Sequence, residues 1–246
     1  MSRERLDQAL VRRGLMATRA RAADAIRRGE VTIDGRVETK PGAAVGEGAT
    51  LVVADPAAAW VSRAALKLTG ALDAFALSPE GCECLDVGAS TGGFTQVLTA
   101  RGATRVTAID VGHGQLAEVV ATDPRVVAIE GLNARDLTAA HLPAAPAFVV
   151  ADVSFISLAL ALPPALDLAA PGAVGVFLVK PQFEVGRDHI GKGGIVRDEA
   201  QATAAVDRIE AMLVAHRWTP IGRAPAAITG GDGNREWVVA ARKAAA

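Results

Sequence analysis

Two lysines are the first candidates for chemistry, because this chain otherwise carries its positive charge on arginine. Of the 26 basic side chains in 246 residues, 21 are arginines and 5 are lysines: Lys40, Lys67, Lys180, Lys192 and Lys243. A lysine can give up its proton and act as a base, whereas the guanidinium of arginine stays charged in proteins. If Lys67 and Lys180 meet at one hydroxyl, each disfavours the charge on the other, which favours a neutral amine that accepts a proton.

A glycine-rich segment, Asp86-Val-Gly-Ala-Ser-Thr-Gly-Gly93, follows an apolar strand pattern and is the best candidate for a ligand-binding loop. A phosphate-binding P-loop would end in Gly-Lys-Ser/Thr, and no lysine is present. A dinucleotide fingerprint would place glycine where Ser90 stands, so that the backbone could approach a pyrophosphate. Neither loop type fits this sequence.

The same loop also matches the G-x-S-x-G pattern of a serine hydrolase, with Ser90 as the nucleophile. The available partners are Asp152 or Asp167 and His189 or His216. Only about thirty residues separate this loop from the preceding linker, too few for the strands that normally come before such an elbow, and no HGGG-type motif is present. A hydrolase is therefore kept as an alternative only.

A nucleoside without a phosphate chain fits the loop better. Asp110 ends the next apolar strand, where a carboxylate can accept both ribose hydroxyls, and Asn133 follows the third strand. S-adenosylmethionine combines a ribose, an adenine and an amino-acid end that Asp86 and the loop amides can hold. The candidate cofactor-binding residues are Asp86, Gly88, Ser90, Thr91, Gly92, Gly93, Asp110, Asn133 and Asp152.

The methyl acceptor suggested by the remaining residues is a hydroxyl. Amino methyltransferases carry Asn/Asp-Pro-Pro-aromatic after the fourth strand, where this chain has Asp152-Val-Ser-Phe155, and the thiols of Cys82 and Cys84 lie inside the first strand. A hydroxyl needs a base and a positive field around the developing alkoxide. Lys67 and Lys180 supply these, Asp152 would orient one ammonium, and Glu236 would complete the set.

These residues must be positioned by secondary-structure elements, and the sequence after residue 60 predicts strands that alternate with helices along the chain. Such near-continuous apolar strands predict an α/β fold, a Rossmann-like parallel sheet with helices on both faces, whose ligands bind at the carboxyl ends of the strands. The predicted strands are Cys82 to Val87, Arg105 to Val111, Arg125 to Ile129, Ala147 to Val153, Ala173 to Val179 and Trp237 to Ala241. A helix is predicted from Val61 to Leu72.

The first 40 residues are different, with 10 basic and 6 acidic groups. Two short helices, a strand at Val31 to Ile33 and a closing strand at Leu51 to Val53 resemble the S4-type RNA-binding domain, a small α+β module. The basic face could equally be a solvated helix surface, but phosphate contact is the functional interpretation. The candidate RNA-binding residues are Arg12, Arg13, Arg19, Arg21, Arg27 and Arg28, with Arg63, Arg187 and Lys192 in later segments, the last two in a glycine-rich loop over residues 186–194.

Composition excludes several other classes. Two cysteines one residue apart suit neither a disulfide nor a zinc site, and no other metal site is expected. The charged N-terminus carries no signal peptide, and the apolar stretch Leu158 to Val179 contains three prolines, which argues against a membrane span. We expect a cytoplasmic protein.

Four motifs resemble those of the TlyA family, also called hemolysin-like, which joins an S4-type domain to an FtsJ-like methyltransferase. They are Trp60-Val-Ser-Arg-Ala-Ala-Leu-Lys67, the loop at Gly88, Ala151-Asp-Val-Ser-Phe-Ile-Ser157 and Val179-Lys-Pro-Gln-Phe-Glu-Val-Gly186. The resemblance implies 2′-O-methylation of cytidine in ribosomal RNA, with a Lys-Asp-Lys-Glu tetrad at Lys67, Asp152, Lys180 and Glu236. It leaves open whether the RNA of one ribosomal subunit or of both is modified.

The resulting domain prediction is an S4-type domain at residues 1–55, a linker at 56–60 and a methyltransferase domain at 61–246. Three alternatives remain: a serine hydrolase at Ser90, a membrane-active hemolysin-like protein and a non-catalytic RNA-binding protein.

Overall fold

The computed structural model describes residues 3–186, 190–191 and 193–245. The chain divides into two compact units, Met1–Ala59 and Trp60–Ala246. Each unit has its own hydrophobic core, and each is described by itself.

The first unit places two helices against short antiparallel strands. The second helix, Arg19–Arg27, begins after Thr18, whose hydroxyl accepts a hydrogen bond from the Arg21 amide, and ends before Gly29, whose positive φ closes the helix. Apolar side chains of both helices, among them Leu6, Leu10 and Ile26, are fully buried. The elements are β1 (Arg3–Arg5), α1 (Leu6–Arg12), α2 (Arg19–Arg27), β2 (Val31–Ile33), β3 (Arg36–Val37), β4 (Ala44–Gly46) and β5 (Leu51–Val53).

Both predicted helices and both predicted strands of this unit are present, but three further strands were missed. Strand β1 pairs with β4, and β2 lies between β3 and β5. The missed strands β1, β3 and β4 are two or three residues long. Segments this short carry no periodicity, so their pairing depends on the packing of the whole unit.

The second unit contains one β-sheet, and helices connect most of its strands along the chain. Its elements are α3 (Ala65–Ala74), β6 (Glu83–Val87), α4 (Gly93–Ala100), β7 (Arg105–Asp110), α5 (Glu118–Ala121), β8 (Val126–Glu130), β9 (Phe148–Ala151), α6 (Leu158–Ala161), α7 (Pro163–Leu168), β10 (Val174–Val179), α8 (Pro181–Glu184), α9 (Glu199–Ala215), β11 (Trp218–Pro225) and β12 (Trp237–Lys243). Two 3₁₀ turns, Ala134–Asp136 and Ala139–His141, lie between β8 and β9.

Among the described residues the sheet has seven strands in the order β11-β12-β10-β9-β6-β7-β8. Strands β10, β9, β6, β7 and β8 run parallel, whereas β12 is antiparallel to β10, and β11 is antiparallel to β12. The strand order reverses between β6 and β9, and open sheets of this kind bind ligands at the carboxyl ends of the strands at such a reversal. The glycine loop follows the carboxyl end of β6, and Asp152 follows that of β9.

Both faces of this sheet are buried, which confirms the predicted α/β class. On one face Leu85, Val149 and Phe177 belong to a core that includes residues of α6, α7 and α9. On the other, Cys84 and Val176 belong to a core that includes residues of α3 and α4. No helix among the described residues is long and apolar enough to cross a membrane.

Two local predictions for this unit were wrong. The helix predicted from Val61 spans Ala65–Ala74 instead. Strand β11 was missed because Pro220 and Pro225 interrupt its pattern. Proline is tolerated there because β11 lies at the edge of the sheet, where part of its backbone needs no ladder partner.

Candidate active site

The glycine loop owes its composition to close contacts. Gly88 has a φ of +86°, and a Cβ there would lie 2.7 Å from the carbonyl oxygen of Asp152. A Cβ on Gly93 would clash with Ser62 Oγ. A side chain at position 88 would push the loop away from Asp152 and one at position 93 would displace Ser62, so glycine lets the loop backbone lie directly against both.

Two cavities lie at this edge and share Gly88, Ser90, Asp152 and Ser154. The larger has a volume of about 410 Å³ and the smaller about 290 Å³. The larger cavity is lined by Gly88, Ser90, Ile109, Asp110, Val111, Gln115, Leu132, Asn133, Ala134, Asp152, Val153, Ser154, Phe155, Ile156 and Ala161. The smaller cavity is lined by Ser62, Arg63, Ala64, Lys67, Gly88, Ala89, Ser90, Thr91, Gly93, Phe94, Asp152, Ser154, Lys180 and Gly231.

Asp110 holds the loops around the larger cavity in place. Its two carboxylate oxygens accept hydrogen bonds from the amides of Ser90 (2.8 Å) and Gly112 (2.7 Å). Asn133 lines the same cavity, and its Oδ1 accepts from the amide of Arg135 at 3.1 Å. Two residues expected to contact a nucleoside therefore face one cavity, and Asp110 also supports the glycine loop.

Asp86 and Gly92, by contrast, are not among the described residues that line either cavity. The Asp86 side chain is fully buried, and its Oδ2 accepts a 2.6 Å hydrogen bond from Thr95 Oγ1 while Oδ1 has no partner. Burial raises the pKa of Asp86 to about 7 against the opposing effect of the Thr95 hydrogen bond. Gly92 instead ends the loop at a φ of +92°.

The smaller cavity brings together the charged residues predicted for catalysis. Lys180 Nζ lies 2.6 Å from Asp152 Oδ1, and Lys67 Nζ donates to Glu236 Oε2 at 2.5 Å. The side chains of Lys67 and Lys180 are only 8% and 10% exposed. Glu236 is buried behind Lys67 and is not among the described lining residues.

The arrangement places two amines, each beside its own carboxylate, at the smaller cavity, and Asp152 also lines the larger one. Buried charges of this kind are stable only when they are paired, and they are concentrated at functional sites. A neutral amine in this set can accept a proton, and a charged one can stabilise developing negative charge, in the smaller cavity beside a ligand in the larger one.

Sequence analysis missed three residues around this site. The hydroxyl of Ser154 accepts a 2.8 Å hydrogen bond from Lys180 Nζ, and Phe155 is 92% exposed with a φ of +66°. Thr95 binds Asp86. The position of Ser154 and Phe155 after the fourth strand was the available signal, but it was used to exclude an amine acceptor and to support the family resemblance, not to assign them a role.

The serine hydrolase arrangement is not assembled in the described residues. Ser90 Oγ donates to Gln115 Oε1 at 3.2 Å. His216 pairs with Asp167 at 2.9 Å. This pair lies close to Trp218, near the amino end of β10, whereas Ser90 lies at the carboxyl ends of the strands. His189 lies outside the described residues.

The six RNA-binding candidates among the arginines of the first unit divide into two groups by their exposure. Arg13, Arg21 and Arg28 bind parts of their own unit, as described below, and are half-buried. Arg12, Arg19 and Arg27 are exposed. Arg12 pairs with Glu4, and Arg19 is 3.1 Å from Asp7.

The first group holds loops onto the helices. Arg13 donates to the carbonyl oxygen of Ala49 at 2.6 Å, and Arg21 donates to that of Ala57 at 3.0 Å. Arg28 lies 2.8 Å from Asp55 and 3.1 Å from Asp24. Of the remaining RNA-binding candidates, Arg63 lines the smaller cavity, while Arg187 and Lys192 lie outside the described residues.

Comparisons with known proteins agree on the architecture. Residues 60–243 match the FtsJ-like methyltransferase family and residues 4–51 match the S4 domain. A Mycobacterium tuberculosis protein named 16S/23S rRNA (cytidine-2′-O)-methyltransferase TlyA is 48% identical over 96% of this chain and 88% of its own length.

Relatives named as hemolysins match equally far along the chain. Hemolysin A of Brachyspira hyodysenteriae is 35% identical over 95% of this chain and 98% of its own length. A solved structure from Streptococcus thermophilus, also named a hemolysin, is 38% identical with a TM-score of 0.78, covering 99% of this chain and 90% of that one. The FtsJ match over residues 60–243 includes the paired lysines and carboxylates at the strand ends, and an S4 match precedes it, so the chain belongs to the FtsJ-like methyltransferase family, in its TlyA branch.

Proposed function

We propose that this protein is an S-adenosylmethionine-dependent ribosomal RNA (cytidine-2′-O)-methyltransferase. The observation that carries the proposal is the pairing of Lys67 with Glu236 and of Lys180 with Asp152, which places both lysines at the smaller cavity while Asp152 lines both cavities. The Mycobacterium tuberculosis relative is named for this reaction on 16S and 23S RNA, and a Campylobacter jejuni relative for the reaction on 23S RNA.

The larger cavity suits the methyl donor. Asp110 and Asn133 would hold its ribose and adenine, with Gly88 and Ser90 beneath, and Asp86, buried behind the loop, would support the loop through Thr95. S-adenosylmethionine supplies an activated methyl group when it is bound. Thr91, Gly92 and Gly93 would shape the loop rather than contact the nucleoside.

The smaller cavity would receive the ribose hydroxyl. Methylation replaces the O–H bond by an O–C bond, so the site must accept one proton as negative charge develops on oxygen. We assign proton uptake to Lys180, which enters the step as the neutral amine; the ammonium that forms is stabilised by Asp152, 2.6 Å away. Lys67, held by Glu236, places its positive charge near the same oxygen.

The first unit would bind the RNA backbone. Exposed Arg12, Arg19 and Arg27 are its candidate phosphate contacts, and Arg63 at the smaller cavity is a candidate contact near the target nucleotide. Arg13, Arg21 and Arg28 would act indirectly, by fixing the shape of the S4 unit. With ribosomal RNA as substrate, the reaction belongs in the cytoplasm.

The test is transfer of a labelled methyl group from S-adenosylmethionine to ribosomal subunits of both sizes. Wild-type protein should produce methyl-cytidine whose adjoining phosphodiester resists alkaline cleavage, because a 2′-O-methyl group removes the hydroxyl that attacks the phosphate. The product should map to 16S RNA, 23S RNA or both, and Lys180→Ala should produce none. Full activity in Lys180→Ala, or label on a base nitrogen or carbon, would contradict the proposal.

A further inference from the structure

Asp152 and Lys180 sit just beyond the ends of two neighbouring parallel strands. The pairing of β9 with β10 ends at Ala151 and Phe177, so Asp152 follows the last paired residue of β9 directly and Lys180 follows that of β10 by three positions. Beyond this point the β9–β10 ladder no longer fixes the distance between the two segments. The Asp152 amide still donates to Val87 of β6, and Val179 still pairs with Trp237 of β12, but the direct links between the two segments are side-chain contacts.

One carboxylate, that of Glu184, joins the two segments. Its Oε2 accepts a 2.5 Å hydrogen bond from Ser157 Oγ, and its Oε1 accepts a 2.8 Å hydrogen bond from the amide of Leu158. Glu184 ends α8, the short helix that begins after Lys180, and Ser157 precedes α6 at the far end of the Asp152 segment. We call Ser157, Leu158 and Glu184 the strand-end clasp.

The clasp is itself anchored to a long helix. Arg208, on the 17-residue helix α9, donates a 3.1 Å hydrogen bond to the carbonyl oxygen of Glu184. The carboxylate therefore acts from a fixed backbone position rather than from a free loop.

The segment between Asp152 and Ser157 needs such a restraint. Phe155 adopts a φ of +66°, a left-handed conformation that costs a non-glycine residue about 1 kcal/mol or more and persists only where the surroundings enforce it. Its ring lies 5.3 Å from that of Phe183, on the same helix as Glu184. Ser154, in the same segment, accepts the hydrogen bond from Lys180 Nζ.

We propose that Glu184 is a positioning residue for methyl transfer: through Ser157 and Leu158 it keeps the Asp152 segment against the Lys180 turn, so that the Lys180 amine stays between Asp152 and Ser154. This inference rests on the proposed function, because it concerns the amine to which proton uptake is assigned. Glu184 itself lines neither cavity among the described residues.

The experiment compares single-turnover methyl transfer to ribosomal RNA with calorimetric binding of S-adenosylmethionine, in the full chain. A displacement of about 1 Å in a reacting group can cost up to about a hundredfold in rate. Glu184→Ala should slow transfer by about tenfold or more, while the Kd for S-adenosylmethionine changes by less than about threefold, since Asp110 and the glycine loop are untouched.

The conservative variant Glu184→Gln distinguishes positioning from mere packing. The glutamine amide keeps an acceptor for the Leu158 amide and a polar group for Ser157, so its transfer rate should return to within about threefold of wild type. Glu210→Ala is the matched control, a half-buried glutamate of the same unit that pairs with Arg223 at 3.4 Å, and it should leave the rate within about twofold.

Equal rates for wild type and Glu184→Ala, an equal loss of rate in Glu210→Ala, or a loss of cofactor affinity as large as the loss of rate would each overturn the inference. If Glu184→Ala does not fold, Ser157→Ala removes one of the two clasp bonds and should still slow transfer by about threefold; an unchanged rate there would overturn it. A wild-type protein without transfer activity would instead refute the proposed function, and the inference with it.

Discussion

The two units of this protein treat positive charge in opposite ways. In the S4 unit several guanidinium groups remain at the surface even when paired, since Arg5 and Arg19 are 52% and 57% exposed although both pair with Asp7. In the methyltransferase unit Lys67 and Lys180 are 8% and 10% exposed, and each lies within 2.6 Å of a carboxylate.

The difference shows what each kind of pair contributes. An exposed ion pair stabilises a fold by about 0–1 kcal/mol, so the surface network of the S4 unit can be rearranged at low cost when it meets an anion. A buried pair gains little net stability, because desolvation opposes the attraction between the charges, yet losing one partner is severe. Paired lysines inside a cleft are therefore better explained by chemistry than by stability.

Within the S4 unit the contrast recurs between neighbouring residues. Arg27 is exposed and makes no ion pair with another described residue, whereas Arg28 is half-buried and pairs with Asp24 and Asp55. The basic helix face predicted from the sequence thus contains two kinds of arginine: those that stabilise the unit and those that are exposed and available to RNA.

The largest expected effect comes from breaking the buried pair in the methyltransferase unit. Lys67→Met should lower the free energy of unfolding by about 3 kcal/mol, because the Glu236 carboxylate stays buried without a partner. The double variant Lys67→Met/Glu236→Leu should recover most of that stability but none of the methyl transfer. Denaturant unfolding and the transfer assay measure the two quantities, and a stable, active double variant would remove the pair from the catalytic set.

A smaller effect should separate Arg28 from Arg27. Arg28→Ala should lower the free energy of unfolding at pH 7 by about 1–2 kcal/mol, whereas Arg27→Ala should leave it unchanged. Arg27→Ala should instead weaken RNA binding a few-fold and reduce its salt dependence by about one phosphate contact. Urea titrations and filter binding at several salt concentrations test this, and equal effects of both variants would contradict it.

The Arg28 effect should also depend on pH. Burial raises the pKa of the Asp55 carboxyl, but the Arg28 hydrogen bond, the Ala57 amide and nearby positive charge outweigh it, so the pKa lies below its ordinary value. A lowered folded-state pKa contributes stability that is present above the unfolded pKa and is lost as pH falls through the folded value. The stability difference between wild type and Arg28→Ala should therefore be largest near neutral pH and shrink in acid.

The strand-end residues could be predicted from sequence because the topology requires their convergence. Parallel strands deliver their carboxyl ends to one edge, so Asp110, Asp152 and Lys180 were expected together before any contact was known. Lys67 and Glu236 are harder to predict. One lies on a helix that precedes the sheet and the other at the start of an antiparallel strand, so the strand-end rule does not bring them together.

Other features depend on contacts that no local pattern encodes. Arg13 and Arg21 bind carbonyl oxygens in distant loops, so their sequence positions on a basic face did not reveal their structural task. Asp86 was expected beside a ligand, but it lies buried against Thr95. The link from Glu184 to Ser157 spans two motifs that sequence analysis had treated separately.

The central claim is that Lys180 takes up a proton, a task that arginine cannot perform. The most direct measurement is single-turnover methyl transfer to ribosomal RNA by Lys180→Arg, alongside its calorimetric affinity for S-adenosylmethionine. The account predicts cofactor binding within about threefold of wild type and transfer slowed by about a hundredfold or more, because the charge is kept while the base is lost. Transfer by Lys180→Arg at a rate close to that of wild type would contradict it.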